Sequence, residues 1–277
     1  MSPSQRLQAH HGLTPDDELT ILRDGELEVR GRILPASNVT LVATATLGSR
    51  SLECVYKPIS GERPLWDFPN GSLAAREVAA YAVSEALGWA VVPLTLDRAG
   101  PLGPGMVQVW REPVDGQEPV DVVPEGEIPE GYLHVLDAAD GEGNPVSLVH
   151  ENTPTLRRMA VFDAVVNNAD RKGGHVLAMA GGHRYGVDHG VCFHVHPKLR
   201  TVLWGWATLP LHEDERAALG RLADALADPD GGLRAELDRL LDPDEVTALE
   251  ARCEDLIAHS RMPLPSGEWP AIPWPAF

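Results

Sequence analysis

Residues 162–190 read FDAVVNNADRKGGHVLAMAGGHRYGVDHG, and this stretch decides the fold. Leu156, Met159, Phe162 and Val166 have helical burial spacing, and the run ends in Asn167-Asn168-Ala169-Asp170-Arg171-Lys172. His175 follows five residues after Asp170, and a glycine-turned segment leads to Asp188-His189-Gly190. Two carboxylates set apart by a loop and a hairpin are what phosphoryl transfer needs. One orients the attacking group, and the other holds metal on nucleotide phosphates.

A lysine upstream completes such a set. Lys57, in Val55-Tyr56-Lys57-Pro58, ends an apolar strand and can reach phosphate oxygens. Glu77, on a helix opening at Ser72, is the acidic partner that would hold it. Taken alone, Lys57 reads equally as a solvated strand-end lysine. Between two strands before it lies Leu34-Pro35-Ala36-Ser37-Asn38-Val39-Thr40. Ser37 and Asn38 are candidates for a phosphate-covering turn, although an ordinary hairpin turn has the same composition.

The 277 residues are 43% hydrophobic, enough for a substantial core in one large domain or two lobes. The net charge of -18 disfavours nucleic acid and anionic membranes as partners. No apolar run approaches the roughly 20 residues of a transmembrane segment, and the N-terminus has no signal-peptide core. Three cysteines without metal spacing indicate a reduced, cytoplasmic setting. Of the 23 basic residues only Lys57, Lys172 and Lys198 are lysine. That bias toward arginine makes each remaining ammonium a candidate for a special role, or a chance survivor.

Along the chain, residues 1–17 read as a frayed polar end. Residues 18–56 read as short strands with a hairpin at Asp24-Gly25. Ser72 and Gly88 bracket one helix. VVPLTLD and GMVQVWRE are strands, 113–131 a connector, and YLHVLDAADGEGNPVSLVHE a hairpin. Thr155 is placed as the cap of the next helix. Two or three amphipathic helices are expected between about 211 and 260. The Trp- and Pro-rich tail reads as a strap packed on the domain rather than a linker. The expected architecture is α+β in two lobes. The lobe at 1–112 has a small antiparallel sheet with one helix, and the lobe at 113–277 is mainly helical.

Each site residue has a stated chemistry. Asp170 can orient an acceptor hydroxyl or take its proton, and Lys172 can neutralise charge on a migrating phosphoryl group. Asp163 braces this loop by hydrogen bonds. Asp188 can bind Mg²⁺ bridging two phosphates. His175 is a softer ligand than an amide oxygen, which tilts metal preference toward Mn²⁺. It also predicts activity falling as the imidazole protonates below about pH 6.5. The alternative for His175 is a structural hydrogen bond. The other histidines lack zinc spacing.

These motifs resemble the atypical kinases related to phosphatidylinositol 3-/4-kinases and HipA-type protein kinases, and an actinobacterial kinase-like group among them. N-N-A-D-R-K-G-G-H is similar to their D-R-H-x-x-N catalytic loop, and V-D-H-G to their I-D-F-G metal motif. The likeness spans about residues 30–210 in motif order. It implies a two-lobed kinase fold with ATP and Mg²⁺ or Mn²⁺ in the cleft. Lys57 would bind phosphate and Glu77 position it; Asp170 would be the catalytic carboxylate and Asp188 the metal ligand. Gln108-Val109-Trp110 would form the lobe hinge, with Gln108 and Trp110 bordering adenine. Three positions depart from the pattern. His175 replaces the metal-binding Asn, Lys172 the His after D-R, and His189 the Phe of D-F-G. The expected activity is γ-phosphoryl transfer to a small-molecule or protein acceptor. Lys198 and Arg200 of HVHPKLR are candidates to read an anionic one. Nucleotidyl transfer and a nucleotide-binding pseudokinase are the rivals.

Overall fold

The computed structural model describes residues 12–34, 38–68 and 72–277. The first element among the described residues is a helix, α1 (Pro15–Asp24), where a strand and hairpin were expected. Thr14 Oγ1 accepts the Asp17 N–H, and the Asp17 carboxylate accepts the Thr14 N–H. This capping box, with Pro15 in the first turn, overrides the alternating pattern of residues 18–24, while the rest of that pattern forms a strand. Gly25 ends the helix, where an added Cβ would lie 2.5 Å from the Ile21 carbonyl.

Five strands follow: β1 (Glu26–Arg32), β2 (Leu41–Leu47), β3 (Arg50–Pro58), β4 (Thr95–Gly100) and β5 (Gly103–Val109). They form an antiparallel sheet in the order β1-β2-β3-β5-β4. Ile21 and Leu22 of α1 pack on one face with Leu41, Ala43, Leu52, Cys54, Tyr56 and Val107. The pleat therefore sends Lys57, one residue after Tyr56, to the other face. Against that face packs α2 (Leu73–Leu87), whose Val78, Ala79 and Val83 share a core with Met106 of β5. Ser72 caps it through the Ala75 N–H, and Gly88 ends it in the left-handed region at φ 71. Among the described residues the sheet thus carries two helices, not one.

Residues 113–131, expected to be a connector, contain β6 (Val120–Pro124). It joins β8 (Pro145–Glu151) and β7 (Tyr132–Ala139) in a second antiparallel sheet, ordered β6-β8-β7. Proline and acidic residues mark β6 as an edge rather than as a loop. Next comes α3 (Pro154–Val166). Thr153 caps it by accepting the Leu156 N–H, while Thr155 instead donates to the Gly182 carbonyl. Ten of its thirteen residues are buried, so it is a core helix rather than an amphipathic one. A short hairpin, β9 (Val176–Ala178) and β10 (Arg184–Gly186), precedes Asp188.

Three helices complete the C-terminal half: α4 (Glu213–Ala227), α5 (Gly232–Leu240) and α6 (Pro243–His259). Leu219, Leu222, Leu237, Val246, Leu249 and Cys253 close their core. A buried ion pair ties α2 to this half, with Arg76 Nη2 2.5 Å from Glu245 Oε1. The tail packs as a strap. Pro273 is buried, and Ile272 and Ala276 rest on the main core. All three cysteines are buried free thiols. Among the described residues no helix is long and apolar enough to cross a membrane.

Candidate active site

Three charged side chains from distant parts of the chain meet in one crevice. Lys57 Nζ lies 2.6 Å from Glu77 Oε1 and 2.9 Å from Asp188 Oδ1. Lys57 comes from the end of β3, Glu77 from the buried side of α2, and Asp188 from the turn after β10. Glu77 also accepts the His189 N–H through its second oxygen at 2.9 Å, so one carboxylate fixes both the lysine and the turn. Asp188 is held at φ 63, a left-handed conformation that Asp tolerates better than most residues. Its side chain is 52% exposed, whereas that of Glu77 is 2% exposed. Of the two carboxylates on Lys57, Asp188 is therefore the one open to a ligand.

The electrostatics follow from this packing. Burial works against the Lys57 ammonium, but Asp188 and Glu77 outweigh it and hold its pKa above the ordinary lysine value. Lys57 in turn keeps Asp188 well below the usual carboxylate range. Burial raises Glu77 despite Lys57. Lys57, shared by two carboxylates, leaves an excess negative charge, which suits a divalent cation brought in with phosphate.

Asp170 sits just past the end of α3. Asn167 caps that helix in the left-handed region at φ 53, and the Asn168 side-chain oxygen accepts the Asp170 N–H at 2.9 Å. Lys172 Nζ lies 3.4 Å from Asp170 Oδ2. Burial raises the Asp170 pKa, Lys172 opposes that, and the charge of Asp188 raises it further. The two carboxylates thus share one electrostatic environment. His175 Nε2 faces Asp188 Oδ2 at 3.6 Å, too far for a hydrogen bond. Both atoms suit a divalent ion as ligands. Among the described residues no group of three His, Cys, Asp or Glu side chains forms a metal site. An ion here would draw its other ligands from phosphate and water. Burial depresses His175 to about 4, so its protonation belongs near that pH and not near 6.5. Its Nδ1 is buried with no hydrogen-bond partner.

No protein-family model matches the chain. It is 52% identical over 271 residues to Protein Rv2133c of Mycobacterium tuberculosis, an alignment covering 95% of this chain and 96% of that one. The chain belongs to the Rv2133c family. A solved structure, that of the Golgi casein kinase, superimposes with a TM-score of 0.53 at 13% identity, covering 88% of this chain and 73% of that one. The fold of this Rv2133c-family chain is therefore α+β and protein-kinase-like, with an antiparallel-sheet lobe ahead of a mainly helical one.

The remaining candidates are placed less simply in the Rv2133c-family fold. Ser37 lies outside the described residues. Asn38 Oδ1 accepts the Arg63 N–H at 2.8 Å and so braces the segment after β3. Gln108 is 4% exposed and donates its side-chain amide to Thr95 Oγ1, so that its NH₂ is engaged within the sheet. Trp110 is half-buried, donates Nε1 to Glu112 and pairs its backbone N–H with Glu53. Lys198, expected to read an acceptor, is already committed: its Nζ pairs with Asp67 at 2.9 Å and lies 4.5 Å from the Trp269 ring centroid. Arg200 donates Nε to the Ala169 carbonyl, on the same loop as Asp170. All three lysines of the chain are thus ion-paired, to Glu77 and Asp188, to Asp170, and to Asp67.

Arg171 was passed over in the sequence, although it stands inside the deciding motif. Its guanidinium is fully buried. It binds both Asp163 oxygens, the carbonyls of His175 and Val187, and His189 Nε2. Asp163 also accepts from Asn168 Nδ2, and so braces the loop as its position suggested. One cation therefore sets the loop carrying Asp170 relative to the turn carrying Asp188. An arginine between Asp and Lys reads as solvated until the depth of Asp163 is known.

Proposed function

We propose that this protein is an ATP-dependent phosphotransferase, an atypical kinase whose two lobes divide near residues 112 and 113. The observation that carries this is the convergence of Lys57, Glu77 and Asp188, with the Asp188 charge also acting on Asp170. Lys57, held by Glu77, would neutralise nucleotide phosphate. Asp170 would orient the acceptor oxygen and receive its proton, its raised pKa bringing it nearer to that task. Lys172 would offset charge on the migrating group. Asp188 and His175 would hold Mg²⁺ or Mn²⁺, an ion that supplies Lewis-acid charge on the phosphates. The motif order supports grouping with phosphatidylinositol 3-/4-kinase-like and HipA-like enzymes. The acceptor would be a small molecule or protein in a cytoplasmic setting, and the acidic surface argues against nucleic acid.

A nucleotide-binding pseudokinase is the second reading. It is favoured by the lack of an orienting partner on His175 Nδ1, which a metal-binding histidine ordinarily has. Turnover of ATP with Mg²⁺ or Mn²⁺ separates the two readings. Wild type should turn over, while Lys57→Met, Asp170→Asn and Asp188→Asn each lose about a hundredfold or more. Product masses distinguish a gain of phosphate from a gain of AMP. Nucleotide-dependent thermal stabilisation without turnover would establish the pseudokinase instead.

A further inference from the structure

The loop that carries Asp170 is the innermost of three backbone segments laid side by side. Arg171 donates its N–H to the Arg200 carbonyl, Arg200 donates to Asn168, and Val202 donates to Arg171. The middle segment then pairs outward, where the Thr201 N–H and Trp204 Nε1 both donate to the Ala271 carbonyl of the strap. The strap finally returns to the loop, since Gly173 donates its N–H to Ala276 at 2.8 Å. The Phe277 ring closes over Gly173 so tightly that a Cβ there would lie 2.3 Å from a ring carbon. At its other end Trp269 covers Lys198, whose ammonium holds Asp67 of the connection between β3 and α2.

We infer that the strap is a positioning element of the candidate active site, with Phe277 and Ala276 setting the loop that carries Asp170. This rests on the phosphotransferase reading for its effect on rate, but not for its effect on the loop. The reasoning is one of connectivity. Gly173 lies three residues after Asp170 and two before His175. The Gly173 N–H has no partner in a helix or sheet and is satisfied by Ala276 alone among the hydrogen bonds it makes. A ring in contact with a glycine backbone limits how far that backbone can move. A Cβ at Gly173 would push the Phe277 ring aside. Passive cover of the core needs neither feature; Ile272, Pro273 and the Ala276 side chain supply that without them.

The test is a double-mutant cycle on the 277-residue chain with Phe277→Ala, Gly173→Ala and the pair, with Leu264→Ala as the control. Leu264 is 64% exposed on the same strap. Phe277→Ala should lower kcat for Mn²⁺-dependent ATP turnover by about tenfold to a hundredfold with little change in KM for ATP, as expected when a reacting group is displaced by about an ångström. Amide hydrogen exchange should rise at Gly173 and His175 while remaining unchanged in α4 and α6. Gly173→Ala should act in the same direction, and the pair should fall well short of additivity, since both changes break one contact. Unchanged kcat together with unchanged exchange at Gly173 in Phe277→Ala would overturn the inference. So would strictly additive effects. If wild type shows no turnover, the phosphotransferase reading fails; exchange at Gly173 then still decides whether the strap sets the loop.

Discussion

Arg171 Nη2 and His189 Nε2 meet at 2.7 Å, and the chemistry of the pair fixes the proton. A guanidinium only donates, so His189 Nε2 accepts and the imidazole is neutral, with its hydrogen on Nδ1. Burial and the Arg171 charge hold the His189 pKa well below its ordinary value. Where the resembling I-D-F-G motif has a phenylalanine, this chain places a ring that still packs edge-on to Phe162 but also anchors a cation.

Arg171→Ala should destabilise the protein by about 3–5 kcal/mol, because it leaves the Asp163 carboxylate buried without its counterion. Urea denaturation at pH 7 measures this. Arg171→Lys should recover little of the loss. A single ammonium cannot serve Asp163, two carbonyls and His189 at once.

Acid should destabilise the protein from about pH 6.5 downward. Burial lowers His150 and His175 to about 4 in the folded state, and burial also holds His189 well below its ordinary value. In the unfolded chain they protonate near 6.5, so between about 6.5 and 4 the unfolded state binds more protons. Their stabilisation is complete above that window and is lost as pH falls through it, by up to about 1.4 kcal/mol per pH unit for each histidine. Glu77 and Asp170, whose pKa values are raised, act in the opposite sense nearer their own titration. Thermal melts from pH 8 to pH 4.5 should show a falling Tm. A Tm flat across that range would contradict the burial of these rings.

His175→Asn should lower the ratio of Mn²⁺-supported to Mg²⁺-supported turnover, since an amide oxygen is a harder ligand than an imidazole nitrogen. Metal titrations at fixed ATP read this directly. An unchanged ratio would remove His175 from the proposed metal site and leave Asp188 as the candidate ligand.

Thr14→Ala should cost about 1 kcal/mol, the usual worth of a side-chain cap. Loss of α1 would also uncover Leu52, Cys54 and Tyr56 on the sheet. Circular dichroism and a denaturant midpoint follow both effects.

Sequence exposed the parts of the candidate site whose place in the fold local rules decide. Lys57 ends a strand, Glu77 lies one turn into a capped helix, and Asp170 and Asp188 follow recognisable element ends. The helix–loop–hairpin order was readable for the same reason. What remained hidden depends on depth and distance. Arg171 was passed over because nothing near it in sequence says that Asp163 is buried. Lys198 looked available because its partners Asp67 and Trp269 lie far away along the chain. Residues 18–22 alternate well enough to imitate a strand, and only the reciprocal bonds of Thr14 and Asp17 settle them as helix. Edge strand β6 hid in a proline- and acid-rich composition that loops share.

The scarcity of lysine turns ordinary amine chemistry into a local probe. Apart from any α-amino group, an acylating reagent finds three targets, and their side chains are 19%, 20% and 5% exposed at Lys57, Lys172 and Lys198. Two of them flank the carboxylates of the crevice, and the third is shielded beneath Trp269. Covalent labelling read by peptide mass would therefore report occupancy of the crevice through Lys57 and Lys172, and lifting of the strap through Lys198, on unmutated protein.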